Sequence, residues 1–431
     1  MSKKDRAEKK NRKNNLVDQS FYDGYKDAIP EDQIWDFQVE GLQKPWIRKP
    51  MPNARAKKIA VVVILVIAIS ISIFFSFWIL HTDPFKYGEA ADGGTELIRF
   101  SNPGELLELD VDYAVTEVRT EATVTQNEKG ESERHTSYSL TKDETRPITA
   151  LHEYAFNCDE RIRVVTVGKT VTSIDNKAFY SCYALREIRV DPANPNYCDV
   201  DGVLFNKDKT ELICYPIDHD AYLREKYGYE GQYWPSDNWK NDEAVDKYNE
   251  YYTHEYEDRV NTYVVPETVR EIGPLAFNYS ELFRLYLPEG LEKLGTMAIF
   301  RNWHIERVDT YSGKVGGNGL PAPGNIKPSL PDSLTYIGSD CFNSAIEMDY
   351  MYIPANVTYI GHHAFWGAAR NEGKGKLIGL YQLHAALDEA AFKAQVDAGD
   401  QWTGEYDNGL LPKAVPVLYG ETRAPYGEGT K

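Results

Sequence analysis

Apolar residues recur in a fixed pattern between about residue 148 and residue 366. The clearest copy of this pattern, which we call the repeat motif, runs from Val171 to Pro192 as VTSIDNKAFYSCYALREIRVDP. In it an Ala-Phe pair is followed by an apolar-x-x-apolar-x-apolar run and then by proline. Phe156 and Phe179 are 23 residues apart, and Ala276 and Ala298 are 22 apart. A fixed period of this length indicates stacked internal repeats.

The other copies keep the same positions. The Ala-Phe pair or a close substitute occurs at Ala155-Phe156, Ala178-Phe179, Ala276-Phe277, Ala298-Ile299, Cys341-Phe342 and Ala364-Phe365. An aliphatic-glycine step precedes four of these pairs, at Ile272-Gly273, Leu294-Gly295, Ile337-Gly338 and Ile360-Gly361. The apolar run that follows the pair is clearest at Leu185, Ile188, Val190, at Leu282, Leu285, Leu287 and at Met348, Met351, Ile353.

Each part of the motif has a physical reason. The alternating end of the apolar run has a period of two, which predicts a short, half-buried strand. Alanine allows neighbouring coils to approach closely, and phenylalanine fills the space between them. Proline ends the strand because it cannot donate a hydrogen bond to a ladder. One coil cannot bury its own apolar face, whereas stacked coils can, so the motif predicts a solenoid.

With these motifs the chain resembles the BspA-like leucine-rich-repeat family of bacterial surface proteins over roughly residues 148–420. The segment Asn194–Pro216 resembles a hairpin coil that is common in that family. The resemblance implies a β-rich α/β solenoid with leucine-rich repeats of about 22–23 residues. It also implies a surface protein, since the family includes adhesins and immune-recognised proteins, but it does not identify a ligand.

A single transmembrane helix is predicted before the solenoid. Residues 59–80, IAVVVILVIAISISIFFSFWIL, carry no charge, and at ~1.5 Å per residue they span ~33 Å. Basic residues dominate before this segment and acidic residues follow it. The positive-inside rule therefore predicts an uncleaved signal anchor in the plasma membrane, with residues 1–58 as a cytoplasmic basic, disordered tail. Residues 81–147 are predicted to form an extracellular stalk with a capping hairpin, with strands within 111–124 and 137–141 around the turn at 127–130.

The solenoid is expected to occupy residues 148–431, with insertions at 218–262 and 311–329. The second insertion is rich in glycine and proline and is predicted to be a loop. Residues 381–397 are predicted to be helical and to form a C-terminal cap from about residue 381, together with a segment at 415–419.

The first insertion contains the candidate ligand-binding residues. Tyrosine and tryptophan provide a large contact area at a low cost in rotamer entropy. The alternative is that these rings pack the insertion onto the solenoid. The candidates are Tyr229, Tyr233, Trp234, Trp239, Tyr248, Tyr251, Tyr252 and Tyr256.

Candidate chemistry is sparse. The sequence has no nucleophile elbow, zinc-protease motif or Walker A motif, so we expect no enzymatic activity, catalytic residue, cofactor or resident metal. His219 and His254 lie among carboxylates, but such spacing also arises by chance. The net charge of −18 argues against nucleic acid as a partner. The sequence does not decide whether disulfide bridges form between Cys158 and Cys182 or between Cys198 and Cys214.

Two functions follow from this organisation. In the first, a membrane-anchored leucine-rich-repeat protein on the cell surface binds an extracellular protein or glycan in adhesion or recognition. In the second, a transmembrane scaffold or sensor couples the extracellular repeats to a cytoplasmic partner of the tail.

Overall fold

The computed structural model describes residues 83–102, 106–126, 132–156, 159–226, 261–316, 319–348, 350–371, 377–380, 382–395 and 417–424. These ranges all fall within one compact unit, Asp83–Lys431. The predicted cytoplasmic tail and the predicted membrane segment, residues 1–58 and 59–80, lie outside the described residues.

Short strands dominate the described residues. They are β1 (Phe85–Glu89), β2 (Thr95–Phe100), β3 (Glu108–Val111), β4 (Tyr113–Gln126), β5 (Ser132–Leu151), β6 (Val164–Val167), β7 (Ser173–Ile174), β8 (Glu187–Val190), β9 (Tyr197–Val200), β10 (Val203–Asn206), β11 (Glu211–Cys214), β12 (Thr262–Val264), β13 (Glu271–Ile272), β14 (Arg284–Pro288), β15 (Lys293–Leu294), β16 (Arg307–Tyr311), β17 (Ile326–Pro328), β18 (Tyr336–Ile337), β19 (Met351–Ile353), β20 (Tyr359–Ile360), β21 (Ala369–Asn371), β22 (Leu377–Gly379), β23 (Leu383–Ala385) and β24 (Val417–Tyr419). The helices are α1 (His219–Lys226) and α2 (Glu389–Gln395).

Strands of successive coils pair in parallel and form two ladders. The first ladder contains the two-residue strands before the glycine step, where β13, β15, β18 and β20 align in register. The second ladder contains the strands after the Ala-Phe turn, such as β6 with β8 and β14 with β16. In β8, Ile188 and Val190 are buried and Arg189 between them is exposed. The predicted period of two holds in β8, but β14, β16 and β19 are buried on successive residues, so the prediction of half-buried strands was wrong for those copies.

The phenylalanine positions form a column through the core. The rings of Phe156 and Phe179 stack with centroids 5.3 Å apart and an interplanar angle of 6°. Phe342 and Phe365 repeat this geometry at 5.3 Å and 4°. The alanines beside these rings are fully buried. The core assignment of the Ala-Phe pair is confirmed.

The glycine step sets how closely the coils approach. A Cβ atom on Gly338 would lie 2.4 Å from the backbone nitrogen of Thr296 and 2.5 Å from the carbonyl carbon of Gly295. A Cβ atom on Gly361 would lie 2.3 Å from the nitrogen of Ser339. Real Cβ atoms do not approach backbone this closely. Close packing of coils therefore depends on glycine at this step as well as on alanine in the turn.

The turns around the phenylalanine column are also bonded from coil to coil. The amides of Leu275, Phe277 and Tyr279 donate to carbonyls of the next coil at 2.8–3.0 Å. This bonding pattern requires a left-handed backbone two residues before and two residues after Phe277. The φ angles there are 61° for Leu275 and 59° for Tyr279. Side chains other than glycine are strained there by roughly 1–2 kcal/mol. The intercoil hydrogen bonds offset that strain.

Ladder pairing begins before residue 148. β2 pairs in parallel with the end of β5, and β3 pairs in parallel with β6. The ring of Phe100 lies 6.0 Å from that of Phe156, so the aromatic column extends into this first coil. β4 and β5 form the hairpin in this region. β4 has the predicted length but begins two residues later, at Tyr113, whereas β5 is much longer than the predicted strand at 137–141.

The hairpin coil divides the apolar core in two. β9, β10 and β11 are antiparallel, with Asp201 and Gly202 in the left-handed conformation at the β9–β10 turn. Neighbouring side chains on a strand point to opposite faces. Leu204 accordingly packs with the N-terminal cluster, and Phe205 packs with the C-terminal cluster. The predicted hairpin is confirmed, and it separates the N-terminal apolar cluster from the C-terminal one.

The second insertion is not only a loop. β17 pairs antiparallel with β16, directly after a 3₁₀ turn at Pro323–Asn325. Ile326 and the half-buried Leu320 pack against Tyr286 and Tyr311 on the second ladder. The prediction of an all-loop insertion at 311–329 was wrong because composition does not reveal this long-range pairing.

The C-terminal cap also differs from its prediction. β23 pairs in parallel with β19 and β24, and these three strands form a sheet of their own. Leu383 and Ala385 are buried and His384 between them is half-buried, which is a strand pattern. The helix α2 begins later, where the carboxylate of Asp388 accepts the Ala391 amide at 2.9 Å. A helix over all of 381–397 was therefore wrong.

We expect Gly338→Ala to destabilise the protein by ~1–3 kcal/mol, because the new methyl group overlaps the backbone of the preceding coil. Gly324→Ala is the matched control, since its Cβ would meet no atom within 4 Å. Urea unfolding monitored by circular dichroism measures both variants. Equal stabilities would contradict the role assigned to the glycine step.

Phe179→Ala should cost ~3–5 kcal/mol, because it removes a ring from the stacked column. Thermal unfolding tests this expectation. A melting temperature equal to that of the unmodified chain would show that the column does not support the coil.

Candidate binding surface

The predicted ligand-binding residues of the first insertion lie outside the described residues. These are Tyr229, Tyr233, Trp234, Trp239, Tyr248, Tyr251, Tyr252 and Tyr256. Their role in binding stays a prediction. The structure describes the start of this insertion, the helix α1.

The base of the insertion is held by buried polar groups. The Nδ1 atom of His219 donates to the carbonyl oxygen of Arg186 at 2.7 Å, and the side chain is buried. Burial lowers the pKa of His219 to about 4, so the ring is neutral at pH 7. Burial also raises the pKa of Asp218 to about 6, although its Oδ2 accepts from Arg186 Nε at 2.8 Å. His219 therefore anchors α1 and does not present a ligand to solvent.

Six aromatic side chains form a continuous row on the turn side of the solenoid, which we call the aromatic row. They lie beside the phenylalanine column, where the left-handed turn residues reverse the chain. The members are Tyr154, Tyr180, Tyr183, Tyr279, Phe300 and Trp303. They come from four copies of the repeat motif.

Tyr279 is the centre of the aromatic row. Its ring lies 6.4 Å from Tyr180, 5.4 Å from Tyr183, 6.2 Å from Phe300 and 5.9 Å from Trp303. All four contacts are close to edge-on, which is a favourable geometry for aromatic rings. The aromatic row thus extends from the N-terminal apolar cluster to the C-terminal one. It joins coils that the hairpin coil separates in sequence.

The ends and outer edge of the aromatic row face solvent. Tyr154 is 39% exposed, Tyr183 43% and Trp303 38%, whereas Tyr279 is only 9% exposed. Large rings with this exposure contribute apolar area to the surface of a molecule whose other exposed side chains are mainly polar. A contiguous apolar patch of this kind typically marks a contact site.

Two cations lie over rings of the row. Arg301 lies with its guanidinium carbon 5.3 Å from the Tyr279 centroid and 5.0 Å from that of Phe300, and it also donates to the Tyr279 hydroxyl. Lys177 lies 5.3 Å from the Tyr154 centroid and pairs with Glu153 at 2.6 Å. Burial raises the pKa of Tyr279 to about 12, so its hydroxyl stays protonated. These contacts fix the positions of the rings.

A charged triad borders the aromatic row next to Trp303. The Nε2 atom of His304 lies 3.6 Å from Glu281 Oε2, and its Nδ1 atom lies 3.4 Å from Glu347 Oε2. Burial alone would lower the pKa of His304, but the two carboxylates outweigh burial and raise it. Burial raises the pKa of Glu281 as well. The interactions of His304 with Glu281 and Glu347 therefore link three coils.

The cysteines show no common chemistry. β10 lies between Cys198 on β9 and Cys214 on β11, so two strand spacings of ~4.8 Å separate their backbones. The Cys198–Cys214 bridge, which the sequence left open, does not form, and both thiols are free. The Sγ atom of Cys182 lies 3.0 Å from the carbonyl oxygen of Phe156. Cys158 lies outside the described residues.

In the described part of the chain, histidine, cysteine, aspartate and glutamate side chains form no cluster of three that could hold a metal ion. None of the helices in that part has both the length and the apolar character needed to cross a membrane.

Sequence reasoning missed the aromatic row. The motif marks Tyr180 and Phe300 as the residues after the column positions, but no periodicity joins Tyr183 to Tyr279. An unusual share of aromatic residues at turn positions was the available signal.

A model of the BspA-type leucine-rich-repeat region matches the chain in six copies, over residues 136–201 and 249–372. Residues 136–201 and 249–372 therefore carry repeats that match the BspA-type leucine-rich-repeat model. The resemblance inferred from the Ala-Phe motif is thereby confirmed. A comparison with curated proteins gave no match.

Several solved structures resemble the chain. The pneumococcal vaccine antigen PcpA is 21% identical, with a TM-score of 0.39, and 65% of this chain and 61% of that one are covered. A leucine-rich cell surface protein from Faecalibacterium prausnitzii is 12% identical, with a TM-score of 0.31 and coverage of 80% and 95%. A leucine-rich-repeat protein from Bacteroides ovatus is 13% identical, with a TM-score of 0.28 and coverage of 78% for both chains. The chain therefore spans less than two thirds of the pneumococcal antigen.

The triad predicts a pH dependence of stability. Because the folded pKa of His304 is raised, its stabilising contribution is complete below the unfolded value of about 6.5 and is lost as pH rises through the folded value. His304→Gln should remove this loss, so the variant should change less in stability between pH 6 and pH 9. Urea unfolding at several pH values measures the difference.

His384→Gln is the control, because burial lowers the pKa of His384 and its contribution is lost as pH falls. The triad assignment would fail if the chain and His304→Gln lost equal stability on the alkaline side.

Proposed function

We propose that this protein is a surface recognition protein of the cell envelope that binds a protein partner through the aromatic row. The observation that carries this proposal is the contact of six aromatic rings across four repeats. Tyr154, Tyr183 and Trp303 in this row are each about two-fifths exposed.

The composition of the row is that of a binding hot spot. Tyrosine, tryptophan and arginine contribute most of the affinity at protein interfaces. Here Arg301 and the two exposed rings Tyr183 and Trp303 surround the buried ring of Tyr279. Because Tyr279 is held by its neighbours on several sides, little rotamer freedom remains to be lost on binding. Preorganised side chains of this kind increase affinity.

The cations favour a protein over a glycan. Sugar rings stack on exposed aromatic faces, but Lys177 lies over Tyr154, and Arg301 lies over both Tyr279 and Phe300. The exposed rings and the guanidinium group suit apolar and carbonyl groups of a polypeptide. A glycan partner is the alternative outcome of the experiment below.

Anchoring in a membrane is part of this proposal. Residues 59–80 are apolar and uncharged, and the residues before them are mainly basic. This arrangement supports a single-pass protein with a cytoplasmic tail and an extracellular repeat region. A scaffold or sensor role would also require a cytoplasmic partner for residues 1–58. Deletion of those residues separates the roles, since extracellular binding should survive if the tail only anchors.

The binding test compares two tryptophans of similar exposure. Trp303 is 38% exposed within the row, and Trp366 is 41% exposed outside it, beside His363. The full chain, immobilised from detergent, is presented with an envelope fraction of a bacterium that encodes it. Trp303→Ala and Tyr183→Ala should each weaken capture about tenfold or more, as truncation of a hot-spot residue does. Trp366→Ala should bind like the unmodified chain.

Two treatments of the fraction identify the class of partner. Protease digestion should abolish capture, and periodate oxidation of glycans should leave it intact. Capture that resists protease and is lost after periodate would establish a glycan partner instead. Equal binding by Trp303→Ala and Trp366→Ala, with unchanged melting temperatures, would exclude the aromatic row as the site.

A further inference from the structure

The hairpin formed by β4 and β5 extends well beyond the coil it caps. Strands in globular proteins average about five or six residues, whereas β4 has 14 residues and β5 has 20. From Thr116 to Val124 every residue of β4 is exposed except the half-buried Val118. This stretch of nine residues is ~30 Å long. A two-stranded ribbon is only marginally stable in water on its own.

β4 is an edge strand of its sheet. The strand order is β1-β2-β5-β4, so among the described strands β4 pairs with β5 alone. The Val115 amide donates to the Tyr87 hydroxyl at 2.7 Å, which covers the beginning of the edge. Beyond that point the outward N–H and C=O groups form a template for another strand.

The charges on this edge are arranged with alternating sign on one face. Glu117, Arg119 and Glu121 occupy successive positions of that face, opposite Thr141, Ser139 and Ser137 of β5. Arg119 already pairs with Glu117 at 2.9 Å. Charged side chains on edge strands usually discourage pairing with other strands, but this alternating pattern is complementary to itself.

We propose that the β4 edge pairs antiparallel with the β4 edge of a second copy of this chain. In such a pair the two-fold axis is normal to the sheet. Each residue lies opposite a residue of the partner strand whose side chain is on the same side of the sheet. If the two-fold axis passes through Thr120, Arg119 of each copy lies opposite Glu121 of the other, which gives two attractive pairs. The same register sets Val118 against Ala122.

The alternative registers are worse. Centring on Arg119 opposes two arginines and sets Glu117 against Glu121. Centring on Val118 also matches opposite charges, but it requires the part of the edge that Tyr87 covers. Thr120 is the midpoint of the exposed stretch Thr116–Val124, so this register uses all of it. A nine-residue edge buries less than the ~800 Å² per partner of a standard interface, so the dimer should depend on concentration.

Cysteine cross-linking in the full chain in detergent micelles tests the register. Opposed Cβ atoms on antiparallel strands are ~4.5–5.5 Å apart, which a mild oxidant can join with little backbone movement. Thr120→Cys should form a covalent dimer in high yield. The unmodified chain measures the background from native thiols, and Ala355→Cys, at an exposed site on a repeat, measures random collision. Ser139→Cys, on the β5 strand, should remain at that background.

Charge exchange tests the same pairing without cysteine. Arg119→Glu should raise the dissociation constant of the dimer about tenfold or more, because two attractive pairs become repulsive. Adding Glu121→Arg should restore it, whereas adding Glu117→Arg should not. Analytical ultracentrifugation in micelles, over a range of protein concentrations, measures both effects.

Three results would overturn the proposal. They are a single monomeric species at all concentrations, cross-linking through Ser139→Cys in place of Thr120→Cys, and failure of the Arg119→Glu, Glu121→Arg exchange to restore association. Circular dichroism of each variant confirms that the repeats remain folded. The aromatic row takes no part in this pairing, so the outcome is independent of the binding test with Trp303→Ala.

Discussion

The close approach of successive coils is the constraint on which the structure depends. At the glycine step the backbones are so near that a methyl group on Gly338 would overlap the preceding coil. The same spacing lets the two ladders form hydrogen bonds and lets the rings of Phe342 and Phe365 stack 5.3 Å apart. A wider separation would weaken all three interactions together. For this reason the repeat has little freedom at its glycine, alanine and phenylalanine positions.

Coil spacing also creates the aromatic row. The left-handed turns that bond one coil to the next direct Tyr279 outward beside Tyr183 and Trp303. Intercoil hydrogen bonds offset the strain of those turns, so the backbone that carries the rings is rigid. Binding by such a surface needs little reorganisation of the solenoid. Residues that face inward at the column carry stability, and those beside them remain available for recognition.

Local periodicity was enough to predict the repeat and the buried ring positions from Phe156 to Phe365, because each is encoded within one coil. The hairpin coil at 194–216 was predicted from the resemblance to the family. Long-range pairing was not predictable. β17 lies in a segment rich in glycine and proline, and β23 lies in a stretch with helical composition. The aromatic row escaped prediction for a related reason, since Tyr183 and Tyr279 meet only across the hairpin coil. The predicted sites Trp234 and Trp239 lie outside the described residues.

Hydrogen exchange at the turns tests most directly whether the coils are bonded there as well as through the ladders. The amides of Leu275, Phe277 and Tyr279 donate to the next coil, and backbone amides engaged in this way exchange only when the structure opens. We expect peptides covering these turns to be protected as strongly as those covering β14 and β16. Exchange of the turn amides at the rate of an exposed loop, while the strands stay protected, would contradict the stacking of turns on which the aromatic row depends.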